Sequence, residues 1–227
     1  FQCSSCGLVQ LNIDPVDYYK EVITAASLSK KARITRLDQM KRLVDRFDLS
    51  GGKILDVGSG KGDMLDILKE VGLDAYGIEA SAESVEIGKL SGRNMIHGYI
   101  GEMNKISGAP FDAFISLNYL EHLPNPGAII ENIYNNTSDN SVGFITVPNL
   151  VYLLKTKCFY EFVADHLSYF TQETLTYAFE SNGFEVLESS IINEQNDIAV
   201  IVKKRKSLSI SDGIKEVKSL IHHLKEL

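Results

Sequence analysis

Basic residues, long apolar runs and cysteines are all scarce in this sequence, and each shortage excludes a class of protein. Lys and Arg number 23 against 30 Asp and Glu, which gives a net charge of -7. The only dense basic run is Lys203–Lys206 (KKRK), so a surface that holds a nucleic-acid phosphate backbone is not predicted. No apolar run approaches the roughly 20 residues that cross a bilayer, and no secretory leader is visible. We therefore expect no nucleic-acid partner, no membrane span and a cytoplasmic location. The chain begins at Phe1 without a Met, so the question of an upstream targeting segment stays open.

The three cysteines do not make a complete structural zinc site. Cys3 and Cys6 lie in the knuckle CSSCG, a spacing that supplies two thiolates, whereas Cys158 stands far along the chain. A structural zinc ion needs about four ligands. Zinc at Cys3 and Cys6 would therefore need ligands from upstream of Phe1 or from another chain. The alternative is a pair of reduced thiols in a turn.

Length and composition predict one α/β domain with short appendages. The chain has 227 residues, of which 44% are hydrophobic and 23% charged, enough for a sizeable core. We expect an N-terminal segment over 1–39 with the cysteine knuckle and lid helices, and a main domain over 40–203. An insertion at about 150–170 would cap the substrate, and an amphipathic helix would occupy 204–227. We expect a monomer or a homodimer.

The main domain is organised around a glycine-rich turn between a strand and a helix. An apolar strand over 53–57 is followed at once by Gly58-Ser59-Gly60-Lys61-Gly62 and then by a helical pattern. Glycines let a ligand approach the backbone, and amide groups at the helix start bind its polar parts. A dinucleotide loop is disfavoured because Asp63 would repel a pyrophosphate, and a Walker loop because neither Ser nor Thr follows a final Lys. The loop therefore suits a cofactor without phosphates.

A second strand places an acid where a ribose needs one. The strand over 75–78 ends at Glu79, which stands 19 residues after Gly60. Doubly wound folds place a ribose-binding acid at about this interval. Further strands are predicted at 95–98 and 111–117, with Gly101 and Glu102 after the first of them.

The strand over 111–117 leads into the block NYLEHLPNPG, residues 118–127. Asn118 falls at the carboxyl end of this strand, where open α/β sheets collect ligands. Glu121 and His122 either support the loop, contact substrate or transfer a proton. A strand over 142–147 follows.

Between residues 150 and 170 the pattern loses clean periodicity and becomes rich in aromatic side chains, with Asp165 and His166 in its second half. Long irregular insertions over a sheet edge often carry substrate contacts. The sequence then predicts a helix over 173–180 and two last strands, over 185–191 and 198–202.

Together these features resemble the class I S-adenosylmethionine-dependent methyltransferases over about 40–203. The glycine loop, the acid and the block FDxxxxLNYLEHLPNPG occur in the order and spacing of that family. The resemblance implies a Rossmann-like α/β fold with a seven-stranded sheet ordered 3-2-1-4-5-7-6, its last strand antiparallel, and helices on both faces. It also implies S-adenosylmethionine as cofactor, S-adenosylhomocysteine as product, and these cofactor-binding residues: Tyr19, Asp56, Gly58, Ser59, Gly60, Gly62, Glu79, Ala80, Gly101, Glu102, Asn118, Tyr119 and Leu120.

A narrower resemblance points to an acceptor. CSSCGLVQL, LEHLPNP and DHLSYFT are similar to segments of bacterial enzymes that methylate deoxysugars or other cell-surface and natural-product precursors. In sugar C-methyltransferases an acid and a His, the latter a proposed base, precede SYF, and Asp165 and His166 match that pair. Those enzymes have Tyr where Val163 stands, a complete zinc-binding N-terminus and a large second domain. Transfer to a hydroxyl or another heteroatom of a small polar acceptor is therefore at least as compatible as transfer to carbon.

We thus expect methyl transfer to a small polar acceptor, a sugar or a precursor of the kind used in polysaccharide biosynthesis. His166 is the first candidate base and His122 the second, and the alternative for His166 is a structural hydrogen-bonded role. Some metal-dependent relatives suggest Glu121, His122 and His166 as ligands, but those relatives have a further acid where Asn118 stands, so no metal is predicted. The competing functions are a cofactor-binding module without turnover and a nucleic-acid methyltransferase.

Overall fold

The computed structural model of the chain describes residues 1–16 and 29–205. The predicted lid contact Tyr19 and the predicted C-terminal helix beyond residue 205 lie outside the described residues. Both therefore stay predictions.

A seven-stranded sheet forms the centre of the molecule and confirms the predicted order. Its strands along the chain are Lys53–Val57 (β1), Asp74–Glu79 (β2), Asn94–His97 (β3), Phe111–Leu117 (β4), Thr137–Pro148 (β5), Phe184–Ile192 (β6) and Asp197–Lys204 (β7). They are arranged β3-β2-β1-β4-β5-β7-β6. The pairs among β1 to β5 are parallel, and β7 is antiparallel to both of its neighbours. The carboxyl ends of the parallel strands therefore meet at one edge of the sheet.

Helices flank the sheet, and side chains cap most of their starts. The helices are Lys30–Phe47 (α1), Asp63–Glu70 (α2), Ala82–Leu90 (α3), Pro126–Asn136 (α4), Leu150–Thr156 (α5) and Gln172–Glu180 (α6). Ser29, Ser81, Asn125 and Thr171 each accept a backbone N–H in the first turn of a helix, which stabilises it by about 1 kcal/mol. No helix of the described part of the chain is long and apolar enough to cross a membrane.

Apolar side chains cover both faces of the sheet. Neighbouring residues on β1 point to opposite faces, so Leu55 joins the core under α4 and α6 while Ile54 joins the core under α1, α2 and α3. Five buried phenylalanines fill the first core: Phe111, Phe114, Phe170, Phe179 and Phe184. Burial of each such side chain contributes about 1.5–3 kcal/mol. The rigid sheet holds the loops at its carboxyl edge in fixed positions.

The interpretation of 150–170 as irregular is wrong for its first part, where α5 forms. The Asn149 side chain accepts the Val151 backbone N–H and starts this helix. Leu150 and Leu153, one turn apart, are both buried. Seven residues are too few to display a helical period, so the sequence pattern missed them.

A second, two-stranded sheet links the N-terminal segment to the end of the insertion. Val9–Gln10 pairs antiparallel with Ser168–Tyr169. Leu8, which precedes the first of these strands, is buried in the core under α4 and α6. The first residues of the chain therefore pack on the main domain.

Candidate active site

The loop after β1 holds three glycines in the left-handed backbone region. Gly58, Gly60 and Gly62 have φ values of 74°, 54° and 82°. Residues with a Cβ are strained there, which explains why glycine occupies these positions. Gly62 directly precedes α2, and no side chain caps the start of that helix. Backbone N–H groups at the start of α2 are thus directed toward the carboxyl edge of the sheet.

The rear of this loop is held by Arg93, a residue that the sequence analysis did not single out. Its Nη1 donates a 2.6 Å hydrogen bond to the Lys61 backbone oxygen. Its Nη2 forms ion pairs with Asp63 at 2.9 Å and Asp66 at 2.7 Å. Asp63, whose charge argued against a pyrophosphate, is therefore paired with a cation.

Tyr119 covers the first glycine of the loop. A Cβ at Gly58 would lie 2.5 Å from the Tyr119 ring, closer than real Cβ contacts. Tyr119 and Leu120 are both buried and belong to the core under α4 and α6. Ser59 packs closely against Gly77 of β2, because a Cβ added at Gly77 would lie 2.5 Å from the Ser59 hydroxyl. The structure thus brings Tyr119 beside the glycine loop and places Leu120 in the core.

Glu79 lies at the end of β2 with its carboxylate against the loop. The Gly60 backbone N–H donates to Oε2 at 2.9 Å, and the Ser81 backbone N–H donates to Oε1 at 2.9 Å. The side chain is 2% exposed. These two backbone amides fix the carboxylate in place beside the loop. This position, beside the glycine loop, suits the predicted ribose contact.

The other predicted contacts of the nucleoside are spread around the ends of β2 and β3. The Ala80 backbone oxygen lies 3.0 Å from Nε2 of His97. Gly101 and Glu102 form an exposed 3-10 turn after β3. A Cβ at Gly101 would lie 2.5 Å from the Tyr99 ring. These residues border the same edge of the sheet as Glu79.

Asp56, the last polar residue of β1 before the glycines, is buried among charges. Burial is the main cause that raises its pKa to about 7, and the negative charge of Glu79 raises it further. Arg36, on α1, acts in the opposite direction and lowers it. The sequence analysis missed Arg36, because nothing in the spacing of α1 shows which of its basic residues turns toward the sheet.

Asn118 adopts a left-handed conformation directly after β4, with φ of 49°. Thr146 on β5 donates its hydroxyl to Asn118 Oδ1 at 2.6 Å. The amide of Asn118 donates to Asp197 Oδ1 at 3.4 Å. Asn118 thereby joins the carboxyl ends of β4 and β5 to the start of β7, next to the glycine loop.

Two histidines from distant parts of the chain meet beside Asn118. The ring centroids of His122 and His166 lie 4.8 Å apart in an edge-to-face arrangement. His122 Nδ1 lies 2.9 Å from the Asp165 backbone oxygen and therefore donates to it. His166 Nδ1 is buried and has no hydrogen-bond partner among the described residues. Burial lowers the pKa of both imidazoles, which are neutral and able to accept a proton near pH 7.

Glu121 adds a buried carboxyl to this pair of histidines. Burial raises its pKa to about 8, so it is mostly protonated at neutral pH. Its Oε2 has no hydrogen-bond partner within the described chain, and neither has the Tyr169 hydroxyl. Buried polar atoms normally have partners. Together with His166 Nδ1 they form a buried polar cluster without described hydrogen-bond partners.

Backbone hydrogen bonds lock the two histidine-bearing segments together. The Leu167 N–H donates to the Glu121 backbone oxygen at 2.8 Å. On the other side, the Leu11 N–H donates to the Leu167 backbone oxygen at 3.0 Å, and Gln10 Nε2 donates to the Ser168 hydroxyl at 3.1 Å. The N-terminal strand therefore supports the segment that carries His166.

Two arrangements bear on metal binding. Ligand atoms of Glu121, His122 and His166 lie within 4.8 Å of one another, which brings the ligand set of the metal-dependent variant together. A metal ion bound there would displace the proton of Glu121, since a ligating carboxylate must be deprotonated. Cys3 and Cys6 lie in a turn closed by the Cys3 N–H donating to the Leu8 oxygen at 2.8 Å, and no third ligand side chain from the described residues joins them.

Comparisons with known proteins agree on one family. A family model described as "Methyltransferase domain" matches residues 31–189. Among solved structures, magnesium protoporphyrin IX methyltransferase (ChlM) from Synechocystis PCC 6803, with bound SAH, superposes with a TM-score of 0.62. It is 16% identical, and the match covers 83% of this chain and 97% of that one. A likeness at this identity shows the fold.

Curated relatives include two kinds of methyltransferase. A ubiquinone biosynthesis O-methyltransferase of Xylella fastidiosa (strain 9a5c) is 32% identical over 106 residues, covering 42% of this chain and 40% of the relative. C-methyltransferase NovU of Streptomyces niveus is 25% identical over 201 residues, covering 82% of this chain and 46% of the relative. The chain spans less than half the length of these relatives. Their names include both O- and C-methylation, so they leave the acceptor atom open.

Proposed function

Because this chain belongs to the family of class I methyltransferase domains, we propose that it transfers a methyl group from S-adenosylmethionine to a small polar acceptor. The family match over residues 31–189 supports the reaction type. The observation that carries the proposal is the pair of neutral imidazoles, His122 and His166, at the carboxyl edge of the sheet beside the glycine loop.

The cofactor fits the residues around the loop. Glu79 accepts the ribose hydroxyls, and the loop glycines admit the ligand close to the backbone. Tyr119 and Asn118 border the place for the methionine part. The bound cofactor supplies a methyl group on a positively charged sulfur. The acids beside the loop, Asp56 and Glu79, are compatible with that cation.

His166 acts as the base that accepts the proton of the acceptor. Its Nδ1 has no hydrogen-bond partner among the described residues, and its imidazole is neutral at pH 7. His122 is the second candidate, because donation from its Nδ1 to the Asp165 oxygen leaves Nε2 as the proton acceptor of the neutral ring. Most of the rate enhancement comes from holding acceptor and methyl group in line. General-base catalysis adds about two to four powers of ten.

The acceptor is a sugar or a related precursor with several hydroxyl groups, methylated on oxygen or carbon. Three polar atoms support this class, because Glu121 Oε2, His166 Nδ1 and the Tyr169 hydroxyl have no described hydrogen-bond partners. These atoms are fully buried, so such a ligand would reach them after the surrounding side chains move, and each would then gain a hydrogen bond. A phenol, which offers fewer polar groups, would leave some of these atoms unpaired.

The test begins with cofactor binding by calorimetry. Glu79→Ala should weaken S-adenosylmethionine binding at least tenfold, because each hydrogen bond to a charged group contributes about 1.5–3 kcal/mol. Glu83→Ala, an exposed acid in the first turn of α3, is the matched control and should bind normally. Equal affinities for both variants would place the ribose elsewhere.

The second stage measures S-adenosylhomocysteine formation with a panel of nucleotide-linked sugars and phenols. We expect product with at least one sugar and none with phenols. Product with phenols alone would contradict the acceptor class. Normal binding of the cofactor without transfer to any compound would favour a binding module, and no binding at all would reject the proposed reaction.

A further inference from the structure

A groove with an apolar floor lies between α1 and β6, the strand at one edge of the sheet. Its volume is about 620 Å³, and residues of α1, β5, β6 and β7 line it. The apolar members of the lining are Leu43, Phe144, Ile192, Ala199 and Ile201. All five belong to the core under α1, α2 and α3 or pack against it, and Ile192 and Ile201 are only half-buried. The described residues therefore leave this part of the core partly open to solvent.

Charged side chains form the walls of this α1–β6 groove. Arg46 on α1 pairs with Glu188 on β6 at 2.6 Å, and Arg42 pairs with Asp38 on the surface of α1 at 2.7 Å. Exposed ion pairs of this kind contribute at most about 1 kcal/mol, so they can rearrange around an occupant. An apolar floor between charged walls suits an amphipathic helix, which places its apolar stripe on the floor and its charged residues along the walls.

Two cavities at α4 differ from this groove because polar side chains dominate their linings. A cavity of about 500 Å³ is lined in part by Asn104, Glu131, Asn132 and Asn135. A cavity of about 270 Å³ shares Asn104 and Asn135 with it and adds Asn136. An apolar helix stripe would bury little apolar surface in either of them. The α1–β6 groove is the better match for such a stripe.

Residues 206–227, which lie outside the described residues, follow β7 directly in the chain. β7 contributes Ala199 and Ile201 to the groove and ends at Lys204. Arg205 therefore stands four residues after Ile201, about 13 Å away along an extended chain. The stretch from Arg205 to Ile214 can span up to about 30 Å, which is enough to turn back over the groove. The apolar positions of the predicted helix recur at helical spacing: Ile214, Val217, Leu220, Ile221 and Leu224.

We propose that residues 206–227 fold back as an amphipathic helix and occupy the α1–β6 groove. The stripe from Ile214 to Leu224 is about 15 Å long as a helix, and the α1 wall from Gln39 to Arg46 is about 10 Å long, so the two lengths are comparable. A helix this short is marginal in water and gains most of its stability from packing its apolar face. Polar residues such as Lys215 lie on the opposite face of the helix and stay in solvent.

The test is cross-linking with a short bismaleimide in the chain over residues 1–227, after its three native cysteines are replaced by serine. Ser190→Cys, in the groove lining on β6, is combined with Lys218→Cys or, in a second preparation, with Glu216→Cys. These two positions flank the stripe on its two sides, so one of them faces β6 in either orientation of the helix. Glu131→Cys, exposed on α4 at the opposite face of the sheet, replaces Ser190→Cys in the control pairs. We expect at least ten times more cross-link within one chain for the better Ser190 pair than for its control pair.

A second comparison tests whether the apolar stripe holds the segment in place. Leu220→Asp combined with Ile221→Asp should lower the yield of the better Ser190 pair about tenfold, whereas Lys215→Asp with Ser219→Asp, on the polar face, should leave it unchanged. Three results would overturn the proposal. Equal yields for the Ser190 and Glu131 pairs would show that the segment does not prefer the groove. Cross-links between chains alone would make a second copy the occupant, and an unchanged yield in the Asp variant would remove the stripe from the contact.

Discussion

His166 is the residue on which the proposed chemistry depends most directly. His166→Ala should lower turnover by about two to four powers of ten, because it removes the base, and should leave cofactor affinity nearly unchanged. Single-turnover rates and calorimetry measure the two effects separately. Tyr177→Ala, on the exposed side of α6, is a control that should change neither.

A loss of turnover below about threefold would return His166 to a structural role and move the search for a base to His122. A collapse of cofactor affinity would show instead that the segment around His166 closes the cofactor pocket.

Glu121 predicts a pH dependence of stability. Its pKa is raised from 4.5 to about 8, so the fold favours the protonated carboxyl. The stability gained from this preference is fully present below the pKa of the carboxyl in the unfolded chain. It is lost as the pH rises through the pKa of the carboxyl in the folded protein. Wild-type unfolding free energy should therefore fall between about pH 5 and pH 8 relative to Glu121→Gln, which stays neutral. Denaturant unfolding at several pH values measures the difference, and parallel curves for the two proteins would contradict it.

The spacing of residues along the sequence predicted some site residues and missed others. The difference has a physical cause. Glu79 ends one buried parallel strand and Asn118 follows another. The carboxyl ends of parallel strands meet at one edge of the sheet whatever the conformation of the loops. Arg36 lies on a helix, and Arg93 contacts the glycine loop from its far side. Their orientation depends on how those elements pack, which no interval in the sequence encodes.

The glycine loop allows a test at the scale of one element. Gly58 and Gly51 have nearly the same φ, 74° and 75°, but a Cβ at Gly58 would strike the Tyr119 ring whereas nothing lies within 4 Å of one at Gly51. Both Ala variants should lose about 1–2 kcal/mol of stability through backbone strain. Only Gly58→Ala should also displace Tyr119 and weaken cofactor binding. Thermal unfolding and calorimetry measure the two effects, and equal cofactor affinities would show that the loop merely connects β1 to α2.

Among the elements, fully buried strands were the easiest to predict. β4 has the predicted bounds, Phe111–Leu117, because its apolar run is flanked by clear turn residues. β5 begins at Thr137, not at Val142, since its first part is polar and Thr137 already pairs with Phe111 before the register shifts. The short pair of Val9–Gln10 and Ser168–Tyr169 left no local signal, because its partners come from opposite ends of the domain.

For the whole molecule, Leu8 tests whether the N-terminal segment unfolds together with the sheet. Leu8 is buried in the same core as Phe170 and Leu175. Leu8→Ala should cost about 2–5 kcal/mol and lower the Tm by several degrees in a single transition. Leu90→Ala, at a site that is 80% exposed, should leave the Tm unchanged. An early, separate transition in Leu8→Ala would make residues 1–16 an independent unit.

The backbone ladder from Leu11 through Leu167 to Glu121 has a consequence for deuterium uptake. The Leu11 and Leu167 amides each donate a hydrogen bond to the next chain segment. Neither amide hydrogen can exchange with heavy water until that hydrogen bond opens. If the ladder opens as one unit, both amides should exchange at the same rate. Protection of both should rise together when an acceptor binds. Faster exchange at Leu11 alone would show that the N-terminus peels away while His166 stays in place.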